Sequence, residues 1–212
     1  MKSDFWHQRW QNDELGFHES QPNRLLTTHF DVVNLCQGGR IFLPLCGKTL
    51  DIGWLLSKGF NICGAELSPI AVAQLFEDLG LEPVIEEHGA LVHYSADHLR
   101  VFVGDIFDLS GEALGQVDLV YDRAALVALP DEMRRRYSRH LRDITGVVDQ
   151  LIITFEYDQP LMNGPPFSIS GAMVHEIYDE SYDIQLIESR PVAGKLKGVC
   201  PAIEQIWLLS HR

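Results

Sequence analysis

The chain has 212 residues, 46% of them hydrophobic, and a formal net charge of -13 at neutral pH. This length supports one hydrophobic core, so we expect a single domain over residues 1–212. The negative charge would repel a phosphate backbone and no apolar run approaches membrane-spanning length, so we expect a cytoplasmic protein with neither nucleic acid nor membrane as a partner.

Two helices are predicted before the first strand. Residues 4–17 place Trp6 and Trp10 at helical spacing, and residues 21–36 do the same with Leu25, Leu26 and Phe30. Such a stripe normally packs a helix onto a core. It would also suit an apolar lid that offers cation-π and stacking contacts to a ligand, and the two roles are compatible.

Buried strands alternate with helices through the rest of the chain. The predicted strands are IFLPL, NICGAEL, RVFVGD, VDLVYD, QLIITFEYD, IQLIESRP and AIEQIWLLSH, and the helices between them are TLDIGWLLSKG, PIAVAQLFEDLG, DEMRRRYSRHLRDIT and AMVHEIYDES. Residues 84–99 predict an inserted hairpin around Gly89. Strands separated by helices indicate a mostly parallel sheet with helices on both faces. The connection KLKGVC is too short for a parallel crossover, so the end of the sheet should be antiparallel.

These elements predict an α/β fold with a doubly wound, seven-stranded, mostly parallel sheet, an antiparallel final strand and extra N-terminal helices. This is the Rossmann-like layout of class I methyltransferases, whereas dinucleotide oxidoreductases usually keep every strand parallel. We expect residues 37–212 to form this core and residues 1–36 to be a helical lid. Ligands of such sheets bind beyond the carboxyl ends of the strands, where the strand order switches.

Acidic residues follow two of the predicted strands at that edge. Glu66 ends the second strand about 20 residues after the first turn, where a carboxylate accepts ribose hydroxyls. The alternative is a helix-capping carboxylate beside Ser68. Asp105, or the backbone around Ile106, is placed to accept from an adenine amino group, and Asp105 is equally a turn residue.

Arg123 follows the fourth predicted strand. Its guanidinium would form bidentate hydrogen bonds with a carboxylate or a small anionic substrate. The alternative is a local ion pair with Asp122.

The four cysteines form no CxxC pair, and no His/Cys cluster has the spacing of a metal site. We therefore expect buried free thiols, with neither a metal site nor a disulfide framework.

Several segments together resemble the thiopurine S-methyltransferase family in its bacterial form, over essentially the whole chain. They are FWHQRW with LGFH, then FLPLCGKTLDIGWL, GAELS, DIFDL, YDRAALVALP and GPPFSI. In this family PLCG replaces the glycine-rich first loop of other methyltransferases. A sulfonium cofactor has no pyrophosphate, so it needs fewer backbone N–H donors at this loop.

The resemblance implies S-adenosyl-L-methionine as cofactor and S-adenosyl-L-homocysteine as product. It places Trp10, Leu45, Glu66 and Arg123 against the cofactor. The acceptor pocket would be bordered by Phe17, Arg123, Pro166 and Phe167.

The implied reaction is direct methyl transfer to the sulfur of a thiopurine-like aromatic or heterocyclic thiol. No catalytic residue is obligatory, because alignment and exclusion of water suffice for a soft nucleophile. One alternative is methylation of a selenium or tellurium species or another small soft nucleophile, and another is a non-catalytic cofactor-binding protein. The partner would be a small molecule, and a compact acidic surface favours a monomer.

Overall fold

Helices and strands alternate in the computed structural model, which describes residues 3–12 and 19–212. The helices are α1 (Ser3–Gln11), α2 (Arg24–His29), α3 (Leu50–Ser57), α4 (Pro69–Asp78), α5 (Gly111–Leu114), α6 (Asp131–Thr145) and α7 (Gly171–Tyr178). The strands are β1 (Arg40–Pro44), β2 (Asn61–Glu66), β3 (Val84–His88), β4 (Leu91–Ala96), β5 (Leu99–Val103), β6 (Leu119–Arg123), β7 (Gln150–Glu156), β8 (Tyr182–Pro191) and β9 (Ile203–His211). Within these ranges, no helix has both the length and the apolar character that a bilayer crossing requires.

All the strands lie in one mixed sheet with the order β3-β4-β5-β2-β1-β6-β7-β9-β8. The five central strands are parallel, while β9 is antiparallel to both β7 and β8. The prediction of a doubly wound, mostly parallel sheet that ends antiparallel is therefore confirmed. The order reverses between β1 and β6, so the ligand edge lies beyond the carboxyl ends of these two strands.

The predicted strand count was wrong, because the sheet has nine strands and not seven. The inserted hairpin is present as β3 and β4, but β4 pairs antiparallel with β5 and so extends the sheet by two strands. A hairpin pairs its own two strands with each other, so its alternating pattern did not reveal that β4 also pairs with β5.

Apolar side chains cover both faces of the sheet. One face packs against α5, α6 and α7 through Tyr137, Leu141 and Tyr178. The other packs against α2, α3 and α4 through residues that include Leu25 and Leu55. Because the central strands are buried on both faces, their sequences are continuous apolar runs, as expected for a parallel sheet.

The second N-terminal helix is shorter than predicted. The first, α1, spans Ser3–Gln11, and residues 13–17 of its predicted range lie outside the described residues. The second begins only at Arg24, because the Asn23 side chain accepts the N–H groups of Leu25 and Leu26 and caps it, and it continues as a 3-10 turn to Val33. Phe17, predicted to border the acceptor pocket, lies outside the described residues.

Three of the four cysteines are buried free thiols, as predicted: Cys46, Cys63 and Cys200. Cys36 is exposed, so the prediction was wrong for this residue. It lies just after the 3-10 turn, in an irregular stretch that buries little side-chain surface.

Candidate functional site

The loop after β1 turns sharply at the ligand edge. Leu45 and Gly47 have φ angles of 51° and 53°, and the Cys46 N–H donates to the Ala65 carbonyl of β2 at 3.0 Å. A left-handed φ is strained for leucine, by about 1–3 kcal/mol, and persists only where the surroundings enforce it. The enforced turn leaves Leu45 half-buried at the tip of the loop.

Glu66, at the end of β2, holds this loop in place. One carboxylate oxygen accepts the Gly47 N–H at 2.8 Å, and the other accepts the Ser68 N–H at 2.9 Å. The side chain is buried, and burial raises the pKa of Glu66 although these two N–H groups and that of Leu67 oppose the rise. A carboxylate has about four lone-pair sites, so Glu66 keeps acceptor capacity for a further hydroxyl group.

Trp10 of α1 lies over the same loop. Its ring comes within 3.3 Å of the position that a Cβ on Gly47 would occupy, so a larger residue at 47 would displace the ring. The helix also packs against α4. The structure thus brings Trp10, the first loop and Glu66 into one contact set.

Asp105 follows β5 and is exposed. Its carboxylate accepts the Phe107 N–H at 3.0 Å. This hydrogen bond is the one expected if Asp105 is a turn residue, the alternative role predicted from the sequence. The neighbouring Gly104 donates its N–H to the Glu66 carbonyl at 2.9 Å, and this bond keeps Asp105 at the same edge as Glu66. Ile106 is buried, and its carbonyl accepts from His140 Nε2 at 2.7 Å.

Asp122 does not pair with Arg123. Its carboxylate accepts the N–H groups of Ala125 and Leu126 at 3.2 and 3.0 Å and the Tyr137 hydroxyl at 2.7 Å. Successive strand residues point to opposite faces, so Asp122 lies under α6 while Arg123 lies on the other side. Asp122 therefore has a structural part in shaping the turn after β6.

Burial raises the pKa of Asp122 to about 6, against the opposing effect of its three donors. Between pH 4 and 6 the folded state then keeps a proton that the unfolded state has lost, so stability should fall as pH rises through this window. A rise in the pKa of Asp122 from 3.8 to about 6 corresponds to roughly 3 kcal/mol of stability.

Asp122→Asn should remove this part of the pH dependence, measured as the free energy of urea unfolding at several pH values. Tyr137→Phe is the companion variant. It deletes a donor to the ionised carboxylate and so raises the pKa of Asp122 further, which should extend the fall to higher pH and make it larger in total. Equal slopes in the wild type and Asp122→Asn would show that Asp122 does not titrate in this range.

Arg123 lies on the other face, with its side chain only 9% exposed. The Nη2 atom of Arg123 is 3.0 Å from a carboxylate oxygen of Glu19, a residue that precedes α2 in the chain. Burial alone would lower the pKa of Arg123, but the negative charges of Asp51, Glu19 and Glu204 outweigh it and raise the pKa. The guanidinium is thus always charged at this edge.

A buried polar network surrounds Arg123, and the sequence did not indicate it. Asp51, in the first turn of α3, accepts the Asn23 N–H at 2.7 Å and the Tyr121 hydroxyl at 2.9 Å. The Asn23 amide donates to Glu204 of β9 at 2.9 Å, and Glu204 also accepts from Arg190. The network therefore connects the cap of α2 with α3, β6 and β9.

The segment between β7 and α7, residues 157–170, closes the same edge and is called the Phe167 segment below. The Phe167 N–H donates to the Val127 carbonyl at 2.6 Å, which docks this segment on the turn after β6. The buried Pro166 accepts the Tyr157 hydroxyl at 2.6 Å through its carbonyl. The Phe167 ring is half-buried and faces the first turns of α6.

The site residues fit a cationic nucleoside. Glu66 offers acceptor capacity at the end of β2, Trp10 offers an aromatic face above the first loop, and the Arg123 network holds three carboxylates against two guanidinium groups. Hydroxyl groups, a flat base and a positive sulfonium are the groups that such an arrangement accommodates. No group of three or more metal-binding side chains occurs among the residues described.

Solved structures with a similar fold include proteins named as methyltransferases. A 1,6-didemethyltoxoflavin-N1-methyltransferase from Burkholderia thailandensis aligns at a TM-score of 0.63 with 14% identity, covering 98% of this chain and 87% of the other. Magnesium protoporphyrin IX methyltransferase from Synechocystis aligns at 0.63 with 13% identity, covering 98% and 99%. The sheet order gives the protein the Rossmann-like fold of class I methyltransferases.

Sequence comparisons identify the family. The family model described as Thiopurine S-methyltransferase (TPMT) matches residues 1–209. A thiopurine S-methyltransferase from Xanthobacter autotrophicus is 50% identical over the full length of both chains, and one from Gluconobacter oxydans is 49% identical over 97% of this chain and 94% of its own. The chain belongs to the thiopurine S-methyltransferase family and is an S-adenosyl-L-methionine-dependent enzyme.

Proposed function

We propose that the protein methylates the sulfur of thiopurine-like aromatic or heterocyclic thiols. The observation that carries this proposal is that two groups of residues meet at one edge of the sheet. The first group is Trp10, the loop after β1 and Glu66, and the second is Arg123 with the Phe167 segment. The first part suits the cofactor, and the second forms a partly apolar wall where a flat acceptor would lie. The names of the full-length relatives support the same substrate class.

The cofactor contacts are proposed residue by residue. Glu66 would accept the ribose hydroxyls, while Leu45 and Trp10 would enclose the nucleoside from the first loop and from α1. Asp105 or the backbone of Ile106 would bind the adenine amino group. Arg123 would bind the cofactor carboxylate and also face the acceptor.

Direct transfer requires little chemistry from the protein. When bound, S-adenosyl-L-methionine supplies a methyl group activated by a positive sulfur and leaves as S-adenosyl-L-homocysteine. A thiolate is already a nucleophile, so no residue must remove a proton during the transfer. The chain's own residues orient the two partners and exclude water, which can lower a barrier by several kcal/mol.

Residues 1–36 are proposed to form a lid over the single domain of residues 1–212. Within this segment, α1 would be the part that moves, because it lies over the first loop through Trp10. Leu25 and Leu26 of α2 are fully buried in the core and would anchor the lid. A monomeric, cytoplasmic enzyme stays a prediction.

The test is an acceptor screen with the purified protein. A thiopurine and an aromatic thiol should each yield S-adenosyl-L-homocysteine at a rate that rises with acceptor concentration, and the S-methylated product should appear in equal amount. Selenite, tellurite and a phenol are the comparison acceptors. Turnover of the selenium or tellurium species without turnover of any thiol would overturn the proposal, and so would cofactor binding without turnover of any acceptor.

A further inference from the structure

Three consecutive arginines in the first turns of α6 have very different surroundings. Arg135 is more than half exposed and forms ion pairs with Glu176 and Asp131. The Arg136 guanidinium lies 3.6 Å above the ring centroid of Phe107, a close cation-π contact. Both side chains thus have an evident structural partner.

Arg134 is buried, and its contacts with Asp131 and the Phe167 ring leave most of its hydrogen-bond donors unused. The residue is 5% exposed, and its Nε and Nη1 atoms have no hydrogen-bond partner within residues 3–12 and 19–212. Its Nη2 atom is 3.7 Å from a carboxylate oxygen of the exposed Asp131, which is too long for a hydrogen bond. Burial lowers the pKa of Arg134, with Asp131 opposing the change.

A buried guanidinium with unused donors costs free energy, so its presence requires an explanation. Among the described residues, Arg134 forms no ion pair with a buried carboxylate. An apolar side chain of similar length would fill the same space. A ligand that supplies negative charge and acceptor atoms would remove the cost.

The position of Arg134 indicates which ligand this is. Because α6 follows β6 after a short turn, its first residues lie at the ligand edge of the sheet. The Arg134 Cζ atom is 5.9 Å from the ring centroid of Phe167, and the Phe167 segment docks on the turn after β6 through Val127. The guanidinium thus lies beside the wall proposed for the methyl acceptor, close to the positive end of the α6 dipole.

We propose that Arg134 is a specificity-determining residue that binds a negatively charged group on the methyl acceptor, such as a ring carboxylate. This inference rests on the proposed function. The Nη1 and Nη2 atoms share one edge of the guanidinium, and that edge matches the two oxygens of a carboxylate. The aromatic ring of such an acceptor would contact the half-buried Phe167 ring.

The test compares charged and neutral acceptors that are otherwise alike. The three ring isomers of mercaptobenzoate and their methyl esters are assayed with the wild type, Arg134→Met, Arg134→Lys and Arg135→Met. Arg134→Met should lower the ratio of kcat/KM for acid over ester by about tenfold or more in at least one isomer, the scale of a hydrogen bond to a charged group. Arg134→Lys should keep part of the preference, and Arg135→Met should keep all of it.

Thermal unfolding separates this role from a structural one. Because Arg134→Met replaces a buried cation that has unused hydrogen-bond donors by an apolar side chain, its Tm should be unchanged or higher. The inference is overturned if the acid-to-ester ratio stays the same in Arg134→Met while the wild type turns over both. A lower Tm with an equal loss for acid and ester would show a structural residue and overturn it as well.

Failure of the proposed function would look different. In that case the wild type would methylate neither acid nor ester. Binding of the S-methylated mercaptobenzoates to the protein saturated with S-adenosyl-L-homocysteine, measured by titration calorimetry, then decides the inference alone. Tenfold weaker binding to Arg134→Met than to Arg135→Met would support it, and equal binding or none would overturn it.

Discussion

Replacing Glu66 with alanine should weaken binding of S-adenosyl-L-homocysteine by about 1.5 to 3 kcal/mol, the scale of hydrogen bonds to a charged group. The loss has two sources in the structure. The proposed ribose acceptor disappears, and the Gly47 N–H loses the carboxylate that holds the first loop beneath Trp10. Titration calorimetry with the purified variant measures the effect directly.

Ser68→Ala is the matched control for Glu66→Ala. The Ser68 hydroxyl caps α4 by accepting the Ala71 N–H, and its removal leaves the Glu66 carboxylate in place. We expect this variant to lose about 1 kcal/mol of stability with its affinity for S-adenosyl-L-homocysteine intact. If Glu66→Ala binds as tightly as the wild type, Glu66 serves the loop alone and the ribose role is wrong.

The ends of β2 and β5 were predictable because each of these strands is a short apolar run with a polar residue at or just after its end. Glu66 and Asp105 end up at one edge since β2 and β5 are parallel and in register, with Glu66 opposite Val103. Parallel register carries the carboxyl ends of neighbouring strands to the same side of a sheet. A pattern along the chain is enough to place such residues.

The absence of an ion pair between Asp122 and Arg123 could also have been predicted from the sequence. Alternation along a strand places neighbours on opposite faces. VDLVYD was correctly predicted as a strand, so a pair between adjacent residues at its end was already disfavoured. Asp122 instead accepts from Tyr137, a residue of the next helix.

The network around Arg123 could not be predicted, because its members are far apart in the chain. Asp51 bonds to residues 28 and 70 positions away, and Asn23 reaches Glu204 across 181 positions. Each of these side chains has an ordinary local explanation, such as the cap that Asn23 forms on α2. Only the packing of α2 and β9 against the rest of the sheet brings them together.

Arg123→Lys should lower kcat/KM for the thiol acceptor by about 100-fold, roughly 2.7 kcal/mol of transition-state stabilisation, with a small loss of stability. Lysine keeps the positive charge that the carboxylates around position 123 require. It lacks the planar guanidinium group that forms bidentate hydrogen bonds with a carboxylate. Steady-state kinetics and thermal unfolding of the same preparation measure the two effects. Unchanged kinetics would exclude a ligand-binding role for Arg123.

Arg123→Met removes the charge as well, and it should cost about 3 to 5 kcal/mol of stability by leaving buried carboxylates uncompensated. Adding Asp51→Asn withdraws one of those carboxylates, so the double variant should recover at least about 1 kcal/mol relative to the sum of the single changes. Activity should not recover with it, because the proposed contact with cofactor and acceptor is still missing. Recovery of stability and activity together in the double variant would mean that Arg123 acts only by balancing charge within the fold.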